Sequence, residues 1–236
     1  MQTRDLDWGG LPNLRDFGGV PLADGTETRY GVLFRSGRPD GVDAEGWARL
    51  VAGGIGTVID LRNADEIAPL PRRPAGVMVV HRPIEDQSDE VFMAQWGQQL
   101  NSPRYYLTVL EKWPELVAGA LMAIADADPS SATLIHCAAG RDRTGMMSAI
   151  ILSGAGASRD AVLADYELGM RGFRREAVTL GILRETGVSD EEFEAAVVRH
   201  SGYLADFLGS ADIQGMLEAG GAPGNTLERI AQRLRG

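Results

Sequence analysis

The stretch Thr133-Leu-Ile-His-Cys-Ala-Ala-Gly-Arg-Asp-Arg-Thr-Gly145 constrains this chain more than any other. Its β-branched, apolar opening, Thr133 to Ile135, predicts a short buried strand. A loop of small residues follows, and Thr144 to Ser153 is apolar on nearly every face, which predicts a buried helix. Strand, tight loop and buried helix in that order leave the helix N-terminus pointing at whatever the loop encloses. Free N–H groups and the positive end of the helix dipole suit that place to an anion. Cys137 closes the strand and Arg143 stands at the mouth of the helix, so a nucleophile and an anion clamp share one loop.

The spacing has a chemical reason. A phosphoryl group in transfer spreads charge over three equatorial oxygens, with nucleophile and leaving group in line. Backbone N–H groups curled into a nest can face those oxygens, and a guanidinium at the loop's end can grip two of them. Ala138, Ala139 and Gly140 let the loop backbone approach the anion unobstructed. A helix N-terminus and nearby cations can lower the pKa of a thiol and so activate it as a nucleophile. An ordinary buried cysteine would explain neither Arg143 nor the intervening glycine. Arg143 itself opposes the helix dipole and needs a compensating anion, which phosphate supplies. His136 is expected to orient the cysteine loop. Thr144 is expected to cap the helix, and its hydroxyl could also donate to the sulfur.

With these residues in place, His-Cys-x-x-Gly-x-Asp-Arg-Thr-Gly resembles the P-loop of the cysteine-dependent protein-tyrosine phosphatases. It is most similar to a bacterial and fungal branch whose loop reads HCxxGKDRTG. Asn13-Leu-Arg-Asp-Phe-Gly-Gly19, Leu33-Phe-Arg-Ser-Gly37, Ile59-Asp-Leu-Arg62 and Ala164-Asp-Tyr166 match that branch in the same order. The resemblance implies an α/β fold, with a central, mostly parallel sheet flanked by helices and the P-loop between a central strand and a buried helix. It implies metal-independent hydrolysis of phosphate monoesters through a phosphocysteine, with no cofactor. Phosphotyrosine, phosphoserine/threonine and phosphoinositides are the substrate classes implied, on a protein or a small phosphoester. Asp142 is the general acid it implies; Asp86 and Asp89, on a separate loop, are alternatives. Arg141 stands where the branch carries Lys, in a chain whose only lysine is Lys112. Asp60 and Arg62 lie at a strand's carboxyl edge, which borders the ligand crevice in open α/β sheets. Residue chemistry alone suggests a buried ion pair there, whereas the resemblance implies a place beside the P-loop. A sulfurtransferase and a non-catalytic phospho-reader are the alternatives from other classes. Persulfide chemistry gives no reason for Asp-Arg-Thr-Gly, and a reader usually lacks the cysteine or the arginine.

Composition supports an enzyme domain. A chain of 236 residues with 44% hydrophobic content buries one sizeable core, so residues 1–236 are expected to form a single domain with a helical tail over 157–236. A net charge of −10 argues against nucleic acid or an anionic membrane as partner. It also demands that any phosphate site be locally positive and enclosed. The single cysteine removes an intrachain disulfide and suits a reducing compartment. No apolar run reaches the length of a membrane span and no secretory h-region opens the chain, so a cytoplasmic location is expected.

Elsewhere the pattern is coarser. Residues 1 to 28 predict turns and short strands, with Arg15 and Asp16 as loop ties. Tyr30–Phe34, Thr57–Leu61 and Val77–Val80 predict strands, and Asp43 caps a helix that ends near Gly53-Gly54. Pro69 to Pro74 predicts an extended surface loop. The acidic run Glu85 to Glu90 predicts a solvated turn, and 91–103 is a candidate lid. Arg104 to Asp126 carries apolar residues at helical spacing, kinked or divided by Pro114. Gly154-Ala-Gly156 closes the P-loop helix and Ser158 caps another to about Met170, before the cluster Arg171, Arg174 and Arg175. That cluster is expected to be a solvated face or a seat for a second anionic group. Ser189 to Glu192 is a capping box, and Thr226 to Leu234 predicts a last helix.

Overall fold

The computed structural model describes residues 3–67, 74–179 and 187–235. One sheet of five strands organises it: β1 (Arg15–Asp16), β2 (Leu33–Ser36), β3 (Ile55–Asp60), β4 (Met78–His81) and β5 (Ala132–His136), in the order β1-β2-β5-β3-β4. Only the β1–β2 pairing is antiparallel; the rest of the sheet is parallel. This is the expected mostly parallel α/β sheet. β5 is central and buried at every position, as its apolar run requires.

Side chains alternate across the strands and divide the core between two faces. Phe34, Val58 and Leu134 join Trp47 and Leu50 of helix α1 (Ala44–Ala52) on one side. Leu33, Ile59 and Ile135 face the other side, where most helices pack. There α2 (Glu90–Trp96), α3 (Tyr106–Lys112), α4 (Pro114–Ala125), α5 (Asp142–Gly154) and α6 (Arg159–Thr179) lie with α7 (Asp190–Ser210), α8 (Ile213–Ala219) and α9 (Thr226–Arg235). The strand-end loops, including the one from β5 into α5, meet at the carboxyl edge of the parallel strands.

Local chemistry sets most boundaries. The Asp43 carboxylate accepts from Gly46 N at 2.8 Å, and α1 stops before Gly54, whose φ is 84°. Pro114 divides rather than kinks: α3 ends at Lys112 and α4 starts on the proline. Ser189 and Glu192 close the capping box of α7. The last helix turns Ile230, Ala231 and Leu234 inward, and its Leu234 carbonyl accepts from Arg29 N at 2.7 Å.

Three expectations need correction. β2 starts at Leu33, not Tyr30, because Gly31 takes a left-handed φ of 77° that extended pairing excludes. α6 runs past Met170 to Thr179, since nothing there interrupts its inward-facing stripe of Val162, Tyr166, Met170 and Ala177. Part of the candidate lid is α2, and its Phe92 is buried edge-on against Trp113 at 4.8 Å, which anchors that helix in the core. The proline-rich loop call falls largely on residues 69–73, outside the described residues. Among the described residues no helix is long and apolar enough to cross a membrane.

Candidate active site

The loop from Cys137 to Arg141 joins the central strand to the first turn of α5, and Cys137 is 2% exposed at its base. Gly140 makes the loop possible. Its φ is 66°, and a Cβ there would lie 2.5 Å from Gly37 N. No other residue could close the loop onto β2 without moving backbone.

Arg143 lies in the first turn of α5 with its fork already occupied. Nη2 donates to Glu66 Oε1 at 2.7 Å, Nη1 donates to Glu66 Oε2, and Nε stands 3.5 Å from Glu85 Oε1. Burial alone would lower the pKa of this guanidinium. The hydrogen-bonded Glu66, the Cys137 sulfur and Glu85 outweigh burial and raise it. Cys137 and Arg143 therefore share one electrostatic environment. The anion expected to compensate Arg143 is supplied here by two carboxylates of the protein.

Behind the cysteine, His136 is buried, with Nδ1 3.2 Å from the Cys137 carbonyl and Nε2 3.7 Å from Asp60 Oδ2. Burial lowers its pKa more than Asp60 raises it. Asp60 is held below its ordinary range: burial pushes it up, but the hydrogen bonds and charge of Arg62 are the main pull that outweighs burial. Arg62 is itself fully buried. It donates from Nε and Nη2 to Asp60 at 3.0 and 2.8 Å, and from Nη1 to Asp40 at 3.0 Å. The pair is a buried ion pair, and Asp60 stands beside His136, the residue before Cys137.

Asp142 places its carboxylate 3.1 Å from Arg141 Nε, and its main-chain carbonyl accepts from the Tyr106 hydroxyl at 2.7 Å. Arg141 in turn lies over the Phe173 ring at 4.7 Å. Thr144 is not the cap it was expected to be. α5 already begins at Asp142, so Thr144 sits inside the first turn, fully buried, and its hydroxyl has no hydrogen-bond partner among the described residues.

Residues 6–234 match the model of the tyrosine phosphatase family. The chain belongs to that family. A protein of Cupriavidus necator named as a tyrosine-protein phosphatase is 28% identical over 212 residues, covering 85% of this chain and 76% of that one. The triple specificity protein phosphatase PtpB of Mycobacterium tuberculosis is 31% identical over 199 residues, covering 70% and 68%. The crystal structure of P. aeruginosa TpbA aligns with a TM-score of 0.47 at 20% identity, over 92% of this chain and 95% of that one. Membership makes this tyrosine phosphatase a phosphoric monoester hydrolase and sets the sulfurtransferase alternative aside.

Two residues of this phosphatase's site escaped the sequence reading. Glu66 ends a 3₁₀ turn, and its carboxylate accepts from Asn63 N at 2.9 Å. The Asn-x-x-Glu spacing of a capping box was the available signal, though it pointed to a turn and not to Arg143. Glu85 opens the acidic run expected to be solvated, yet it is 1% exposed. Burial raises its pKa against the pull of Arg143 and Gln87, and Oε2 has no hydrogen-bond partner among the described residues. Its place just beyond the carboxyl edge of β4 was the signal. The alternative acids serve local structure. Asp86 accepts from Ser88 N at 2.9 Å, while Asp89 accepts from Phe92 N at 2.8 Å and pairs with Lys112 at 2.7 Å. Arg171 and Arg175 are paired at the surface with Glu194 and Asp5, whereas Arg174, paired with Asp190, is half-buried over the Phe193 ring at 4.5 Å.

Proposed function

We propose that this phosphatase hydrolyses phosphotyrosine, on a protein or a small phosphoester, through a phosphocysteine formed on Cys137. Phosphoserine/threonine and phosphoinositides are further substrates in the same proposal. The observation that carries it is the convergence of the Cys137 sulfur and the Arg143 fork on one loop at a helix N-terminus. The sulfur attacks phosphorus as the bond to the leaving oxygen breaks, and Asp142 gives its proton to that oxygen. Arg143 and the N–H groups from Ala138 to Arg141 hold the equatorial oxygens. Water then attacks phosphorus, the Asp142 carboxylate takes its proton, and thiolate and inorganic phosphate leave. Positive charge on the protein supplies what a metal ion supplies elsewhere, so no cofactor enters either step.

One domain spanning the chain suffices for this chemistry. A reducing, cytoplasmic setting keeps its single cysteine a thiol. Phosphate release from p-nitrophenyl phosphate in the presence of EDTA, abolished by Cys137→Ser, is the expected result. Activity that survives the substitution, or that EDTA removes, overturns the proposal.

A further inference from the structure

The outward side of the P-loop is fully engaged. Gly140 O accepts from Arg35 Nη2 at 3.0 Å and from Asn13 Nδ2 at 3.1 Å. The same Asn13 amide reaches Ala139 O at 3.5 Å and Gly169 O at 2.9 Å, and Ala138 O accepts from Arg38 N at 3.0 Å. Three consecutive loop carbonyls are thus drawn away from the anion site. In a nest, carbonyls anchored outward leave the N–H groups facing in.

The group doing the anchoring is unusual. Arg35 is fully buried, and its Nη1 donates to Asp165 Oδ2 at 2.5 Å; Asp165 Oδ1 accepts from Arg4 at 2.5 Å. Arg15 is the register partner of Arg35 across β1 and β2, and it is 1% exposed. None of its three guanidinium nitrogens has a hydrogen-bond partner among the described residues. A Cβ at Gly169 would lie 2.9 Å from an Arg35 nitrogen and 3.1 Å from an Arg15 nitrogen, so that glycine admits both guanidinium groups. Three arginines therefore surround one carboxylate, a surplus of positive charge behind the loop. Burial, and then Arg35, push the Arg15 pKa down to about 9 against the pull of Asp165. A phosphate dianion in front of the loop would offset the surplus.

We propose that Arg35 and Asn13 are positioning residues for the phosphate loop, with the Arg4–Arg15–Arg35–Asp165 cluster acting as a buried cationic base that favours the bound dianion. This rests on the phosphocysteine mechanism above. It also gives a task to the Asn13–Gly19, Leu33–Gly37 and Ala164–Tyr166 motifs, which the chemistry itself leaves unused.

The test uses Arg35→Met, Arg35→Lys and Asn13→Ala, each checked for folding by thermal melting. Two quantities are followed: kcat and KM on p-nitrophenyl phosphate, and the inhibition constant of inorganic phosphate. Arg35→Met is expected to raise that inhibition constant about tenfold and to lower kcat/KM by about a hundredfold. Arg35→Lys should recover the inhibition constant without recovering kcat, because a point charge replaces the fork. Asn13→Ala should lower kcat and leave the inhibition constant in place, since its amide is neutral.

A folded Arg35→Met enzyme with the parent's phosphate inhibition constant and kcat/KM overturns the proposal. If that variant does not fold, an unchanged kcat in both Arg35→Lys and Asn13→Ala overturns it equally. Unaffected variants beside an active parent remove only this inference. A parent that releases no phosphate removes the mechanism beneath it.

Discussion

In the proposed reaction Arg143 serves two sets of partners. A phosphate dianion arriving at its fork meets Glu66 and Glu85 already there, so three anions compete for one guanidinium. Glu85 is the one placed to yield, because burial already favours its neutral form. The charged and titratable groups around it are Arg143, Glu66, Asp142 and Tyr105. Its pKa is raised in the free enzyme and should rise further beside a bound dianion. Binding then takes up a proton and tightens as pH falls toward the raised value. Sulfate does not titrate in this range, so its inhibition constant reports the effect cleanly: it should fall as pH falls, and Glu85→Gln should flatten that slope. An unchanged slope in the variant would assign the proton elsewhere. Asp142 has a separate signature. Asp142→Asn should cost about a hundred- to ten-thousand-fold in turnover of an alkyl phosphate and much less on p-nitrophenyl phosphate, whose leaving group needs little help. Equal losses on both substrates would move the acid role away from Asp142.

At the scale of elements, the P-loop is a strand-to-helix turn that one glycine permits. Gly140→Ala must strain a left-handed backbone and push a methyl group into the start of Gly37. Strain of that kind costs about 1–3 kcal/mol, and the displaced loop should lose nearly all activity. Thermal melting and p-nitrophenyl phosphate turnover check both, and a fully active variant would show that the loop tolerates a different path. The elements that were legible in the sequence are those whose cause is local. β5 and α5 follow from their apolar runs, α1 and α7 from Asp43 and Ser189, and the α3–α4 break from Pro114. Cys137, Arg143 and their loop were legible for the same reason, since the site is one contiguous stretch. Contacts that need the fold to close were not. Glu66 reaches Arg143 from a turn after β3, and Glu85 comes from beyond β4. No spacing in an acidic run reveals which carboxylate turns inward. Residues 91–103 resisted for a related reason, because Phe92 helps anchor α2 only through its tertiary partners Trp113 and Tyr105.

Across the whole molecule, charge is arranged in opposite senses near and far. The net charge is −10, while Arg143 and Arg35 place guanidinium groups at and behind the P-loop. A dianionic substrate is therefore expected to be repelled at long range and held at short range. The two ranges separate by ionic strength, because the screening length falls from about 30 Å at about 0.01 M to about 8 Å at about 0.15 M. Screening removes the distant repulsion and leaves the enclosed contacts nearly intact. For a phosphotyrosine peptide with acidic flanks, kcat/KM should rise about tenfold over that span, whereas a peptide with basic flanks should slow. Chloride competing for the loop would lower both alike, so the ratio of the two peptides isolates the field of the protein. A ratio that moves the other way would mean that the positive surroundings of the loop reach beyond the mouth of the site, and that they, rather than the acidic bulk of the chain, govern encounter.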